Sequence, residues 1–135
     1  MRPAKPLSGA IGRSEGHRKL LLEKAGPLLS VSETARRLGV EDAQVNALRD
    51  AARLLALPLE EGCAYPAFQF QGGAVLPGFE ALLQAHEGKD PWVVLDILLT
   101  PDPALDGRAP AEVLRDGDEV ALRRHVSQSY GDGFA

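Results

Sequence analysis

One cysteine, Cys63, and three histidines, His17, His86 and His125, are the side chains of this 135-residue sequence best suited to nucleophilic, acid–base or metal chemistry. Their spacing assembles none of it. A nucleophile needs a positioned base, acid–base hydrolysis needs paired carboxylates, and a metal needs clustered ligands. Cys63 sits in an apolar stretch with no histidine near it in sequence, which suits a buried structural thiol better than a nucleophile. The histidines are too dispersed for a ligand set, and His125, beside Arg123 and Arg124, reads as a solvated surface side chain. Gly72-Gly73 lacks the strand, lysine and helix of a phosphate loop. The expectation is a binder and not an enzyme, with no catalytic residue, no metal and no cofactor.

Hydrogen bonding to DNA is the chemistry that does have a pattern. From Val31 to Leu48 the spacing predicts two helices joined by a tight turn. Ala35 is small enough for a close crossing, Gly39 permits the turn, and Leu38, Val40, Val45 and Leu48 fall between the helices. Ser32 would cap the first helix and Asp42 or Glu41 the second. From the second helix Gln44, Asn46, Arg49 and Arg53 would project, with Arg36 and Arg37 near phosphates on the first. Asn and Gln pair bidentately with adenine, and Arg with guanine or a phosphate. Glu41, Asp42 and Asp50 oppose a negatively charged groove, so the expected binding to operator DNA is modest, salt-sensitive and dimeric. An ordinary helical hairpin would use the same apolar positions.

The elements that must position these residues follow from turn and apolar signals. Residues 1–13 carry prolines, glycines and basic side chains without a period and read as a flexible arm. Ser14 would cap a helix with Leu20, Leu21 and Leu22 on its buried side, stopped by Gly26-Pro27. Leu54 to Leu59 and Cys63 to Phe70 read as two short extended runs around Glu60-Glu61-Gly62, kept edge-like by their prolines. Tyr65, Phe68 and Phe70 suit core packing better than base stacking. Gln71 to Ala74 is the expected hinge. Pro77 would open a further helix over Gly78 to Ala85, Trp92 to Leu99 an apolar one, and Asp118 would cap a last helix to about Ser127, leaving Ser129 to Ala135 as a tail. Cutting the chain after Arg53 separates ten Lys/Arg and six acids from five Lys/Arg and thirteen acids, although the whole carries a net charge of −4. One surface suits phosphate and the other a basic partner, or both merely keep the chain soluble.

Pro91-Trp92-Val93-Val94-Leu95-Asp96-Ile97-Leu98-Leu99, the proline-rich turn after it, and Gly107-Arg108-Ala109-Pro110 leading into a helix closed by Arg115-Asp116-Gly117 resemble the toxin-binding domain of Xre/MbcA/ParS-type antitoxins. The resemblance covers roughly the last 45 residues. The two extended runs from Leu54 to Phe70, ending in Tyr65-Pro66-Ala67-Phe68-Gln69-Phe70, look like the small wing of excisionase-like and MerR-like DNA-binding domains. The antitoxin resemblance implies inhibition of a cognate RES-domain, NAD-consuming toxin by occlusion of its NAD site, with the chain end reaching into the cleft, and autoregulation of the shared operon. Its toxin-binding residues would be Trp92, Arg108, Tyr130, Gly131, Asp132, Gly133, Phe134 and Ala135. In the tail the glycines allow a bent approach, Phe134 offers an anchor, and Asp132 with the terminal carboxylate offers charge; a frayed end without a role is the plainer reading. Arg108 also suits bridging nearby aspartates, and Trp92 suits a core.

The fold expected is therefore mainly α: a helix-turn-helix with a small β wing over residues 14–72, then a helical toxin-binding domain over 73–135, the whole a homodimer. No apolar run approaches the length of a membrane span, so no membrane partner and a cytoplasmic location are expected. The leading rival is a stand-alone excisionase- or MerR-like DNA-binding regulator whose second half only dimerises. A small adaptor without DNA binding is the other.

Overall fold

A computed structural model describes residues 16–134; the arm at 1–13, the proposed Ser14 cap and Ala135 lie outside the described residues, as do the side chains from Tyr130 onward. The chain is mainly helical with a small antiparallel sheet. The first helix, α1, spans residues 16–25 and buries Leu21 and Ala25, one turn apart on a single face. Leu20 is 56% exposed, a correction to the expectation that three consecutive leucines share the buried side: at 100° per residue they cannot.

After β1 (Leu28–Leu29) come α2 (Val31–Leu38) and α3 (Asp42–Asp50). The cap of α2 is Ser30, not Ser32. Its hydroxyl accepts from the Glu33 N–H at 3.0 Å, while Glu33 Oε1 accepts from the Ser30 N–H at 2.9 Å. Ser32 instead donates to Asp42 Oδ2 across the turn, at 3.1 Å. Gly39 ends α2 at φ 70°, a left-handed conformation that glycine adopts without Cβ strain, and Glu41 opens α3.

The sheet joins β1 and β2 (Leu57–Leu59) to opposite edges of β3 (Gly62–Pro66), all antiparallel. The register sets Leu57 against Ala64, Leu59 against Gly62 and Leu29 against Tyr65. Leu54 to Ala56 are buried but not in a strand, and Ala67–Gln69 form a 3-10 turn, so both extended runs are shorter than the sequence suggested. The segment expected as a hinge is the tip of a two-residue hairpin, Gly72-Gly73, between β4 (Phe70–Gln71) and β5 (Ala74–Val75).

Four helices complete the fold: α4 (Phe79–Ala85), α5 (Pro91–Leu99), α6 (Pro110–Asp116) and α7 (Glu119–Phe134). Their starts follow local chemistry. The Asp90 carboxylate accepts from the Trp92 N–H at 2.8 Å with Pro91 in the first turn, Pro110 opens α6, and Asp118 Oδ1 accepts from the Ala121 N–H at 3.1 Å. The backbone from Ser129 to Phe134, expected as a tail, continues α7. The largest core cluster draws Leu21, Leu55 and Leu57 together with Phe79, Leu82, Trp92, Leu95 and Leu98, from both sides of Gly72-Gly73. A second cluster, Ala35, Val45, Leu54, Tyr65 and Phe70, joins α2, α3 and the sheet. Among the described residues no helix is long and apolar enough to cross a membrane.

Candidate nucleic-acid interface

The unit α2–turn–α3 is built from its apolar seam outward. Val45 is fully buried and Ala35 nearly so, leaving room for the helices to cross closely. Burial of that seam turns Ala43, Gln44 and Ala47 to solvent along one face of α3. The β2–β3 hairpin lies beside the far end of the helix, where Arg49 Nη1 approaches Cys63 Sγ at 3.7 Å.

The six expected DNA-contacting side chains do not form one surface. Arg36 is exposed in the last turn of α2. Arg37, its neighbour, donates from Nε to the Gly72 carbonyl at 2.8 Å, and its guanidinium lies 5.9 Å from the centre of the Phe70 ring, which ties α2 to the β4–β5 hairpin. Gln44 is exposed, its side-chain oxygen accepting from the Glu41 N–H at 3.3 Å. Asn46 is half-buried and accepts from Arg49 Nη1 at 3.2 Å; Arg49 also pairs with Asp50 at 3.2 Å. Arg53 points away, to Glu80 of α4 at 3.0 Å.

The acids that seemed to oppose DNA are themselves partly engaged, Asp42 by the Ser32 hydroxyl and Asp50 by Arg49. Tyr65 is fully buried beneath this cluster, and burial pushes its phenol above the usual value while the nearby Arg49 charge opposes the rise. Its hydroxyl has no hydrogen-bond partner of good geometry among the described residues.

The residues expected to face a protein partner lie elsewhere. Trp92 is 7% exposed, part of the main core, with the Arg18 guanidinium 4.9 Å from its ring centre. Arg108 clamps the turn between α6 and α7, donating to Asp116 at 3.3 Å and to Asp118 at 2.9 Å. Backbone and side-chain hydrogen bonds at Asp118, led by the Ala121 N–H and then Arg108, hold its carboxyl below the usual range. The side chains of Tyr130, Gly131, Asp132, Gly133 and Phe134, and Ala135 entirely, lie outside the described residues.

Two organising side chains carry no signal in the sequence. Gln69 is completely buried and hydrogen-bonds both the N–H and the C=O of Leu55, at 2.9 and 3.0 Å, and the C=O of Pro66 at 3.0 Å. His125, expected at the surface, is only 8% exposed: α7 turns it inward against His86. Arg123 and Arg124 directly precede it in sequence but stand about 200° and 100° away around the helix, so their exposure says nothing of its own. Among the described residues no group of three or more His, Cys, Asp or Glu could hold a metal ion.

The chain is thus mainly helical, with a small antiparallel sheet packed beside the α2–α3 pair. No family model and no curated protein matches it. A solved structure, the NMR structure of Rv2175c, is similar over 77% of this chain and 82% of that chain, with 25% sequence identity and a TM-score of 0.63.

Proposed function

We propose that this chain is a DNA-binding regulator of the winged-helix kind, in which α3 enters the major groove and the β2–β3 hairpin lies alongside as the wing. The observation that carries the proposal is the α2–Gly39–α3 unit: a packed helix pair around a left-handed glycine, with the Ala43–Gln44–Ala47 face of the second helix uncovered. Gln44 is the side chain placed to read a base edge, its amide suited to adenine, and the two alanines offer apolar contact to a thymine methyl. Among the described residues, Arg36, exposed in the last turn of α2, is a cation open to phosphate. Arg37, Arg49 and Arg53 act first as struts, fixing the hairpins and α4 against the helix pair. Among the described residues of the helix pair few cations are then left for phosphate, and this favours a dimer on a palindromic site.

The test is selection of duplexes from a random pool, followed by fluorescence anisotropy on the winners at several salt concentrations. Expected is a defined site whose affinity falls log-log with salt at about −0.9 per phosphate neutralised. Failure to enrich any site, or loss of enrichment by neither Gln44→Ala nor Arg36→Ala, overturns the proposal.

A second reading, the antitoxin, is favoured by a different observation. Between Leu76–Gly78 and α6–α7 lies a groove of about 440 Å³ with Leu114 and Leu122 in its walls, and Val120 at the start of α7 is 62% exposed. Such a surface suits a protein partner. It would be tested by adding the purified chain to the RES-domain protein of its own operon and following NAD consumption. Stoichiometric inhibition supports it, and an unchanged rate removes it.

A further inference from the structure

His86, at the end of α4, and His125, in the middle of α7, meet with their Nε2 atoms 3.0 Å apart, and Lys89 Nζ lies 2.9 Å from the other nitrogen of His86, Nδ1. The chain of contacts fixes where the protons are. An ammonium only donates, so Lys89 gives a hydrogen to His86 Nδ1 and the His86 proton must sit on Nε2. That N–H donates to His125 Nε2, which leaves the His125 proton on Nδ1. Both imidazoles are buried, 3% and 8% exposed, and both are neutral in this arrangement.

An added proton has no acceptor to face while Lys89 holds its place. On His125 it falls on Nε2, against the Nε2–H of His86; on His86 it falls on Nδ1, against the Lys89 ammonium. We propose that the Lys89–His86–His125 chain is a proton-sensitive clasp between α4 and α7, closed when both imidazoles are neutral and released when either takes a proton.

The surroundings agree in sign. Burial, then the Lys89 charge and then His125 depress His86 to about 4. Burial also lowers His125; Asp102, facing it from the turn before α6, works the other way, and Lys89 adds to the depression. Asp102 is itself engaged, accepting from the Ala104 N–H at 2.9 Å, and Arg124 of α7 is turned to the Ala104 carbonyl at 3.2 Å. On the α3 side, Arg49 and Glu87 line the same small cavity as His86 and Lys89. Released into water, both imidazoles regain the ordinary value near 6.5. The clasp is whole above about pH 6.5 and weakens as pH falls toward the folded values. For His86 alone, the opening equilibrium rises about 20-fold between pH 7 and pH 5. His125 adds to it in the same direction.

The experiment is amide hydrogen exchange on the full chain at pH 7 and pH 5, corrected for intrinsic rates, with His125→Gln alongside. Glutamine accepts from His86 Nε2 but does not titrate. Expected is a loss of protection well above 20-fold at Leu82 to Ala85 and Leu122 to Val126 in the parent by pH 5, falling toward the roughly 20-fold of His86 alone in the variant, with little change in α2 and α3. Equal losses in parent and variant, or none, overturn the clasp. Nitrogen-15 spectra of the parent imidazoles give a reading independent of how well the variant folds: protons on His86 Nε2 and His125 Nδ1 at pH 7, persisting to pH 5, are expected, and titration of both rings near 6.5 overturns it.

Discussion

Gln69 fills a role for which its residue type gives no warning. Its amide completes the backbone of Leu55, which lies in no strand, and caps the carbonyl of Pro66 where the sheet ends. Replacing it with leucine leaves three buried polar groups unpaired, each costing roughly 1–3 kcal/mol, so Gln69→Leu is expected to unfold the chain or lower its denaturation midpoint severely in urea titration. Tyr65 is the opposite case. Its hydroxyl is buried without a good partner, so Tyr65→Phe removes an unsatisfied group and should change stability by less than about 1 kcal/mol, in either direction. Gly78 is held at φ 88°, and a Cβ there would stand 2.5 Å from Leu122 Cδ2. Gly78→Ala must therefore displace the Leu122 side chain of α7 as well as strain the backbone, and a loss of about 2 kcal/mol is expected from the same titration. A loss no greater than that of an exposed helix substitution would show that α7 yields freely at this point.

At the scale of the element, legibility follows the range of the signal. The turn at Gly39, the Pro110 helix start and the Asp118 cap are set by residues within one turn of the feature, and each was readable as such, whereas Pro91, expected to end the preceding helix, opens α5 instead. The strands β1, β4 and β5 have two residues each, too few for an alternating pattern, and exist because partners lie opposite: β3 for the first, and each other across Gly72-Gly73 for the others. The His86–His125 contact spans 39 positions, and nothing near either residue announces it. The end of α7 misled for a related reason. Gly131 and Gly133 are weak helix formers, worth about 1 kcal/mol each against Ala, and a helix of 16 residues already propagating can carry them. The misplaced cap of α2 is checkable here: Ser30→Ala removes the acceptor for the Glu33 N–H and should cost about 1 kcal/mol, whereas Ser32→Ala, which loses only the exposed bond to Asp42, should cost less. The reverse order would move the cap back to Ser32.

For the whole molecule, the decisive property is that its main core belongs to neither half. Leu21 of α1 and Leu55 and Leu57 beside the sheet pack in one cluster with Phe79, Leu82, Trp92, Leu95 and Leu98. Fully burying side chains of this size contributes roughly 1.5–3 kcal/mol each, and a domain's net stability is only about 5–15 kcal/mol. Residues 1–72 alone would thus lose most of the partners of their apolar face, and no gain elsewhere offsets the loss. The expectation is that the full chain unfolds in one cooperative transition followed identically by Trp92 fluorescence and far-ultraviolet circular dichroism, while the 1–72 fragment shows no cooperative transition and binds a hydrophobic dye. Two resolved transitions, or a fragment that melts sharply by itself, would mean that the helix pair and sheet stand without α4 and α5. The same coupling bears on function. If α3 reads DNA, its platform is held by Arg53 to α4 and, through the shared core, by α5, so a partner gripping the groove near α6 and α7 acts on a body continuous with the DNA-reading helix. A change in DNA affinity on substituting Val120, which is exposed at the start of α7, would reveal that coupling, or a dimer contact there; an affinity unmoved by it would leave the two surfaces independent.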